Sequence, residues 1–177
     1  MRFNSALPLS IIISNASIAA STNTVQFQGE VTTQTCSVNV NGSESNPVVL
    51  LPTVAESKLA TKGSTTGDTT FTVNVTGCNF SSSDTTIKTV LTANNPTENG
   101  NLGNAGDATK VSIQLLDSDA TTPLSFANGS SVTTSDMKLV AGASSTSQNL
   151  IARYYAEDNN VTAGAVIATA QYAITYK

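Results

Sequence analysis

Cys36 and Cys78 carry the sharpest covalent chemistry available to this chain, and they stand 42 positions apart with no third thiol. A redox-active pair favours C-x-x-C spacing, and a structural zinc site needs four ligands. The chain has no histidine, so neither arrangement fits. The same absence removes Ser-His and Cys-His pairs and the usual general base near neutral pH. Ser135-Asp-Met-Lys138 matches S-x-x-K, but the companion motifs of that hydrolase class are missing. Asp117, Asp119, Glu157 and Asp158 are oxygen donors for a cation in principle, yet each sits among Ser, Thr or Asn as solvated turns do. No catalytic residue, metal site or cofactor is expected.

Whatever these residues do must be positioned by strands. Only 11% of the 177 residues are charged, and Ser, Thr, Asn, Ala and Gly separate short runs of Val, Ile, Leu and Phe. That texture belongs to a β-protein with many turns, and it lacks the Glu, Lys and Leu periodicity of a helical bundle. The length suits one domain. A net charge of -4 and a pI near 4.5 leave no basic stripe for phosphates, arguing against nucleic acids and anionic membrane surfaces.

The first 20 residues read as an export leader. Arg2 supplies the positive region, Leu7 to Ile13 an apolar run, and Ile18-Ala19-Ala20 the small residues before a cut placed after Ala20. Pro8, Ser10, Ser14 and Asn15 interrupt the run, so it is too short for membrane insertion. Export makes sense of an isolated, even cysteine pair, which predicts one disulfide between Cys36 and Cys78.

Beyond the leader, Thr24 to Val31 alternates, with Val25 and Phe27 on one face and Gly29 marking a bend. A strand bearing Cys36, Val38 and Val40 should stop at Asn41-Gly42, a hairpin signal. Val48 to Leu51 form a short run closed by Pro52, and 54–68 reads as loop with one helical turn near Ala55 to Leu59. Thr70 to Cys78, with Phe71, Val73 and Val75 alternating, is the clearest strand. Further strands are expected at Ile87 to Ala93, Val111 to Leu115, Leu150 to Ala156 and Val166 to Tyr176. Asn94 to Asp107 should be a polar loop, and Asn128-Gly129 and Ala141-Gly142 should punctuate two weaker stretches. Seven or more short strands predict a two-sheet sandwich.

Four features together resemble the major subunits of chaperone-usher fimbriae, the type 1 pilin family. Thr24-Val-Gln-Phe-Gln-Gly-Glu-Val-Thr-Thr-Gln-Thr-Cys36 looks like the N-terminal extension running into the first cysteine. Thr76-Gly-Cys78 matches the second cysteine. Ala170-Gln-Tyr172-Ala-Ile174-Thr-Tyr176-Lys177 places a tyrosine next to last, and Gly164 is the fourteenth residue counted back from Lys177.

The resemblance implies an all-β fold, an incomplete immunoglobulin-like sandwich that lacks its last strand and is completed by a donor strand from another subunit or from a chaperone. Residues 1–20 would be the signal peptide, 21–29 the donor-strand extension and 30–177 the pilin domain. Donor side chains would be Ser21, Asn23, Val25 and Phe27, and Ser21 to Gln28 would extend about 26 Å. Gly164, Ala170, Tyr172, Ile174 and Tyr176 would belong to the groove, and the carboxylate of Lys177 would be captured by chaperone basic residues. The terminal lysine departs from the neutral residue often found there. Implied partners are other copies of the pilin, a periplasmic pilus chaperone, an outer-membrane usher and a tip adhesin, on a route through the periplasm to a cell-surface fimbrium.

A minor or adhesive subunit that binds a receptor directly is the competing expectation. Family adhesins carry an added lectin domain for which this length leaves no space. Tyr154-Tyr155 offers rings for stacking on a sugar, but alternation predicts one ring inward and one outward. Asn41, Asn74, Asn79, Asn128 and Asn160 begin N-x-[S/T] triplets that composition alone explains.

Overall fold

A computed structural model of the chain describes residues 35–79, 82–127 and 131–177. The expected leader, its cut after Ala20 and the extension 21–29 lie outside the described residues.

The described residues form ten strands and include a 3-10 turn. In chain order the strands are β1 Ser37–Val40, β2 Thr65–Thr76, β3 Thr85–Ala93, β4 Leu102–Gly103, β5 Val111–Leu116, β6 Pro123–Leu124, β7 Ser131–Thr133, β8 Met137–Leu139, β9 Thr146–Ala156 and β10 Ala170–Tyr176. The turn, Glu56–Leu59, sits where one helical turn was expected, with Leu59 buried.

Two sheets result. One runs β1-β2-β9-β5-β4, with β6 added on β5; the other runs β10-β3-β7, with β8 also on β3. All pairings are antiparallel. Phe71, Val73 and Val75 alternate with half-exposed Thr and Asn, so one face of β2 lies on the core. Leu150 and Ala152 of β9, Ile113 and Leu115 of β5 and Leu91 of β3 meet Phe71 and Val73 in the main cluster around Phe126. A second cluster, built from Val75, Cys78, Ile87, Met137 and Leu139, fills the end beside the disulfide.

Asn41-Gly42 closes the turn after β1 as expected. Both residues have positive φ, 51° and 83°, and Val40 and Ser43 bridge across them, as a two-residue hairpin requires.

Several expected boundaries shift. β2 starts at Thr65 rather than Thr70, because a register shift between Thr66 and Thr69 lets it pair with β9 through residues assigned to loop. The polar loop of 94–107 contains β4, whose Leu102 pairs with Ile113. The last strand pairs with β3 over Ala170–Tyr176 alone, although half-burial alternates from Val166 onward.

Candidate functional site

Cys36 and Cys78 form a disulfide with Cα atoms 4.2 Å apart. It ties the entry of β1 to the exit of β2, adjacent antiparallel strands in which Ser37 faces Thr76. The four residues of β1 are thereby fastened to the twelve of β2.

The last strand lies at the edge of its sheet among the described residues. Among the described residues β10 pairs with β3 and with no second strand. Ala170 and Tyr172 lie against the main core cluster, and Ile174 and Tyr176 against the cluster beside the disulfide. All four are half-buried while Gln171 and Ala173 between them are exposed. They thus share the inward face, as expected, and that face is incompletely covered. Lys177 is exposed, and its N–H donates to the carbonyl of Thr86 at 2.8 Å, prolonging the ladder to the chain end.

Two extended segments flank this region. Along 47–51, Val49 and Leu51 rest on the main core cluster while Val48 and Leu50 are 72% and 82% exposed. Among the described residues no backbone–backbone hydrogen bond reaches 47–53. The second segment, 164–169, leads into β10. Val166 and Ala168 face the core, and Ile167 is exposed. The carbonyls of Ala165 and Ile167 accept from Ala108 and Ala105, and the Ile167 N–H donates to Asn104 Oδ1. Successive peptide groups of an extended chain point to opposite edges. The backbone groups of Val166 and Ala168 therefore turn toward the other edge, where no backbone partner meets them among the described residues.

The segments converge on a pocket of about 430 Å³ lined by Thr53 and Val54 on one side and Gly164 and Val166 on the other, with Leu59, Val111 and Tyr154 beneath. Gly164 lets its segment approach the 107–108 backbone closely, since a Cβ there would lie 2.5 Å from the Ala108 nitrogen. Tyr154 points inward, and its hydroxyl donates to the Pro52 carbonyl at 3.2 Å. Tyr155 belongs to the opposite face of β9, so the adjacent tyrosines divide as alternation predicted.

Of the residues expected in a groove, Ala170, Tyr172, Ile174 and Tyr176 lie in β10 with Lys177 directly after it, and Gly164 lines the pocket. Ser21, Asn23, Val25 and Phe27 lie outside the described residues. Sequence reasoning missed the in-out alternation of Val48 to Leu51 and the hydrogen bond between Asn104 and Ile167.

The acidic residues are engaged elsewhere. Glu157 accepts from Thr97, Asn99, Asn101 and Ser112 and pins the 95–103 connection onto β5. Burial pushes its carboxyl up, but the donors, Ser112 and Asn101 foremost, outweigh burial and hold it below its ordinary value. Asp119 accepts from the Thr122 hydroxyl and from the backbone of Thr122 and Thr121, which lowers it to about 2. Asp117 accepts from Ser135 Oγ at 3.0 Å, while Lys138 pairs with Asp84 at 2.6 Å, so Ser135 and Lys138 form no dyad. Lys110 lies 3.6 Å from Asp158. Among the described residues no group of three metal-ligating side chains converges.

Two antiparallel sheets, one of them edged by β10 among the described residues, form an immunoglobulin-like sandwich. The model of the family described as fimbrial protein matches residues 25–177. A type-1 fimbrial protein subunit of Serratia marcescens is 33% identical, with 97% of this chain and 95% of that protein covered. The major fimbrial subunit SMF-1 of Stenotrophomonas maltophilia is 34% identical, with 89% and 94% covered. A solved structure of a chaperone-usher pilus superposes with a TM-score of 0.61 at 19% identity, covering 92% of this chain and 99% of its own. The chain belongs to the fimbrial protein family.

Proposed function

We propose that copies of this chain polymerise by donor-strand exchange, each laying residues 21–28 into the groove of a neighbour between β10 and the 47–53 segment. Ser21, Asn23, Val25 and Phe27 point inward in that arrangement, over Ala170, Tyr172, Ile174 and Tyr176. Strand addition of this kind takes affinity from main-chain hydrogen bonds and register from alternate side chains. The carrying observation is the pair of extended segments on one core cluster, 47–53 and 164–169, with backbone groups unpaired among the described residues. An exposed edge above a partly covered core invites pairing with any free strand.

Before assembly a periplasmic chaperone holds the groove with a strand of its own and takes the carboxylate of Lys177 with basic side chains. An outer-membrane usher then exchanges that strand for the next subunit's extension, and the fibre grows to the cell surface, tipped by an adhesin.

Electron microscopy of cells carrying Phe27→Asp tests the reading. A charge desolvated in the neighbour's groove costs several kcal/mol, so fibres should vanish while the subunit persists in the periplasm with its chaperone. Normal fibres, or loss of the subunit itself, would overturn the assignment of Phe27 to the donor strand.

A further inference from the structure

We infer that Asn104 is a positioning residue for strand capture: its carboxamide holds the lead-in to β10 at the spacing where a donor strand can pair with Val166 and Ala168. This inference rests on the donor-strand reading above.

The lead-in is extended and alternates as β10 does, yet β3 does not reach it, since their pairing starts at Ala170 opposite Ala93. The 103–108 connection replaces the missing neighbour. Asn104 Oδ1 accepts from the N–H of Gly106 at 2.7 Å and from that of Ile167 at 2.8 Å. Asn104 Nδ2 donates to the Ala108 carbonyl at 2.7 Å. One side chain thus stands in for a strand's acceptor, taking the Ile167 N–H that a ladder would otherwise bind. Ala105 and Ala108 complete the seam by donating to the carbonyls of Ile167 and Ala165 at 2.8 and 3.0 Å.

Two glycines let the backbones approach. A Cβ on Gly106 would lie 2.2 Å from the Ala165 oxygen, and one on Gly164 2.5 Å from the Ala108 nitrogen. With the odd-numbered groups of 165 and 167 committed to this seam, those of Val166 and Ala168 are presented to the groove. Without it the lead-in has no ladder to define its edge, and an incoming strand must order it at a conformational-entropy cost.

Mature full-length subunit, refolded with the disulfide intact in excess fluorescent peptide of residues 21–29, reports capture as a rise in anisotropy. Capture by the wild-type chain tests the donor-strand reading itself; its failure would sink that reading before Asn104 is at issue. Given capture, Asn104→Ala should slow it about tenfold, the effect of losing roughly one to two net hydrogen bonds. Gly106→Ala breaks the same seam from the other side and should behave alike. In both peptide complexes, hydrogen exchange should quicken at Val166, Ile167 and Ala168 and stay unchanged at Tyr172 and Ile174. Asn149→Ala, in the exposed Thr72–Asn149 pair on the outer face, should leave the rate unchanged. Wild-type rates in both seam variants, or quickened exchange spread evenly along β10, would overturn the inference. If Asn104→Ala is not recovered folded, Gly106→Ala decides alone by the same two readouts.

Discussion

The phenolic hydroxyl of Tyr154 donates to the Pro52 carbonyl at 3.2 Å, which joins the inner strand β9 to the 47–53 segment, where no backbone–backbone hydrogen bond is made among the described residues. Tyr154→Phe keeps the ring and removes that tether. The strand-complemented subunit should lose about 1 kcal/mol in urea unfolding, with faster hydrogen exchange in 48–51. Burial raises the phenol above its ordinary value of 10.0. Its stabilisation is therefore complete below that value and fades as pH rises through the raised one. The wild type should lose this increment in strong alkali, and Tyr154→Phe should lack it.

Glu157 gives the opposite slope. With the folded carboxyl held below its ordinary 4.5, its contribution is present above that value and is lost as pH falls through the depressed one. Glu157→Gln places an amide against the side-chain donors of Asn99 and Asn101. It should cost about 1–3 kcal/mol near neutral pH and flatten the acid limb of the stability profile, measured by denaturant midpoint against pH.

The disulfide closes a loop with a sequence separation of 42. Replacing both cysteines with serine should lower stability by about 4 kcal/mol in the chain-entropy account. Mass spectrometry of the folded exported chain should find neither thiol alkylated before reduction.

Thr89 is fully buried, and its Oγ1 has no hydrogen-bond partner among the described residues. Thr89→Val removes that orphaned hydroxyl at nearly constant volume, so unfolding should require about 1 kcal/mol more, read as a higher melting temperature. An unchanged or lower melting temperature would mean that the hydroxyl is satisfied in solution.

Ile174 packs beside Val75, Ile87 and Met137 at the disulfide end. Ile174→Asp puts an unpaired charge against that cluster at a cost of several kcal/mol, and should deplete the subunit from the periplasm. Phe27→Asp should leave periplasmic levels intact and remove only the fibres, so immunoblots of the two variants separate acceptor from donor.

Strands with strict local alternation were legible in the sequence: Phe71, Val73 and Val75 in β2 and Ile87 to Ala93 in β3 all occupy the expected elements. So was the hairpin at Asn41-Gly42, because positive φ at two successive residues is a local steric demand. Thr65 to Thr69 was not. Its strand character comes from pairing with Tyr154 and Tyr155 across a register shift, far along the chain.

By itself the sequence determined an all-β class, the cysteine pair and the inward stripe of Ala170, Tyr172 and Ile174, because composition and a two-residue period are properties of neighbouring residues. Only the tertiary structure decided that this stripe lies on an edge strand, that Val49 and Leu51 rest on the same core cluster, and that Asn104 and Tyr154 bond to the backbones of Ile167 and Pro52. Those facts depend on contacts such as that between residues 104 and 167, whose separation of 63 leaves no mark on local periodicity. A single carboxamide or phenol becomes a positioning group only when packing brings a distant backbone to it.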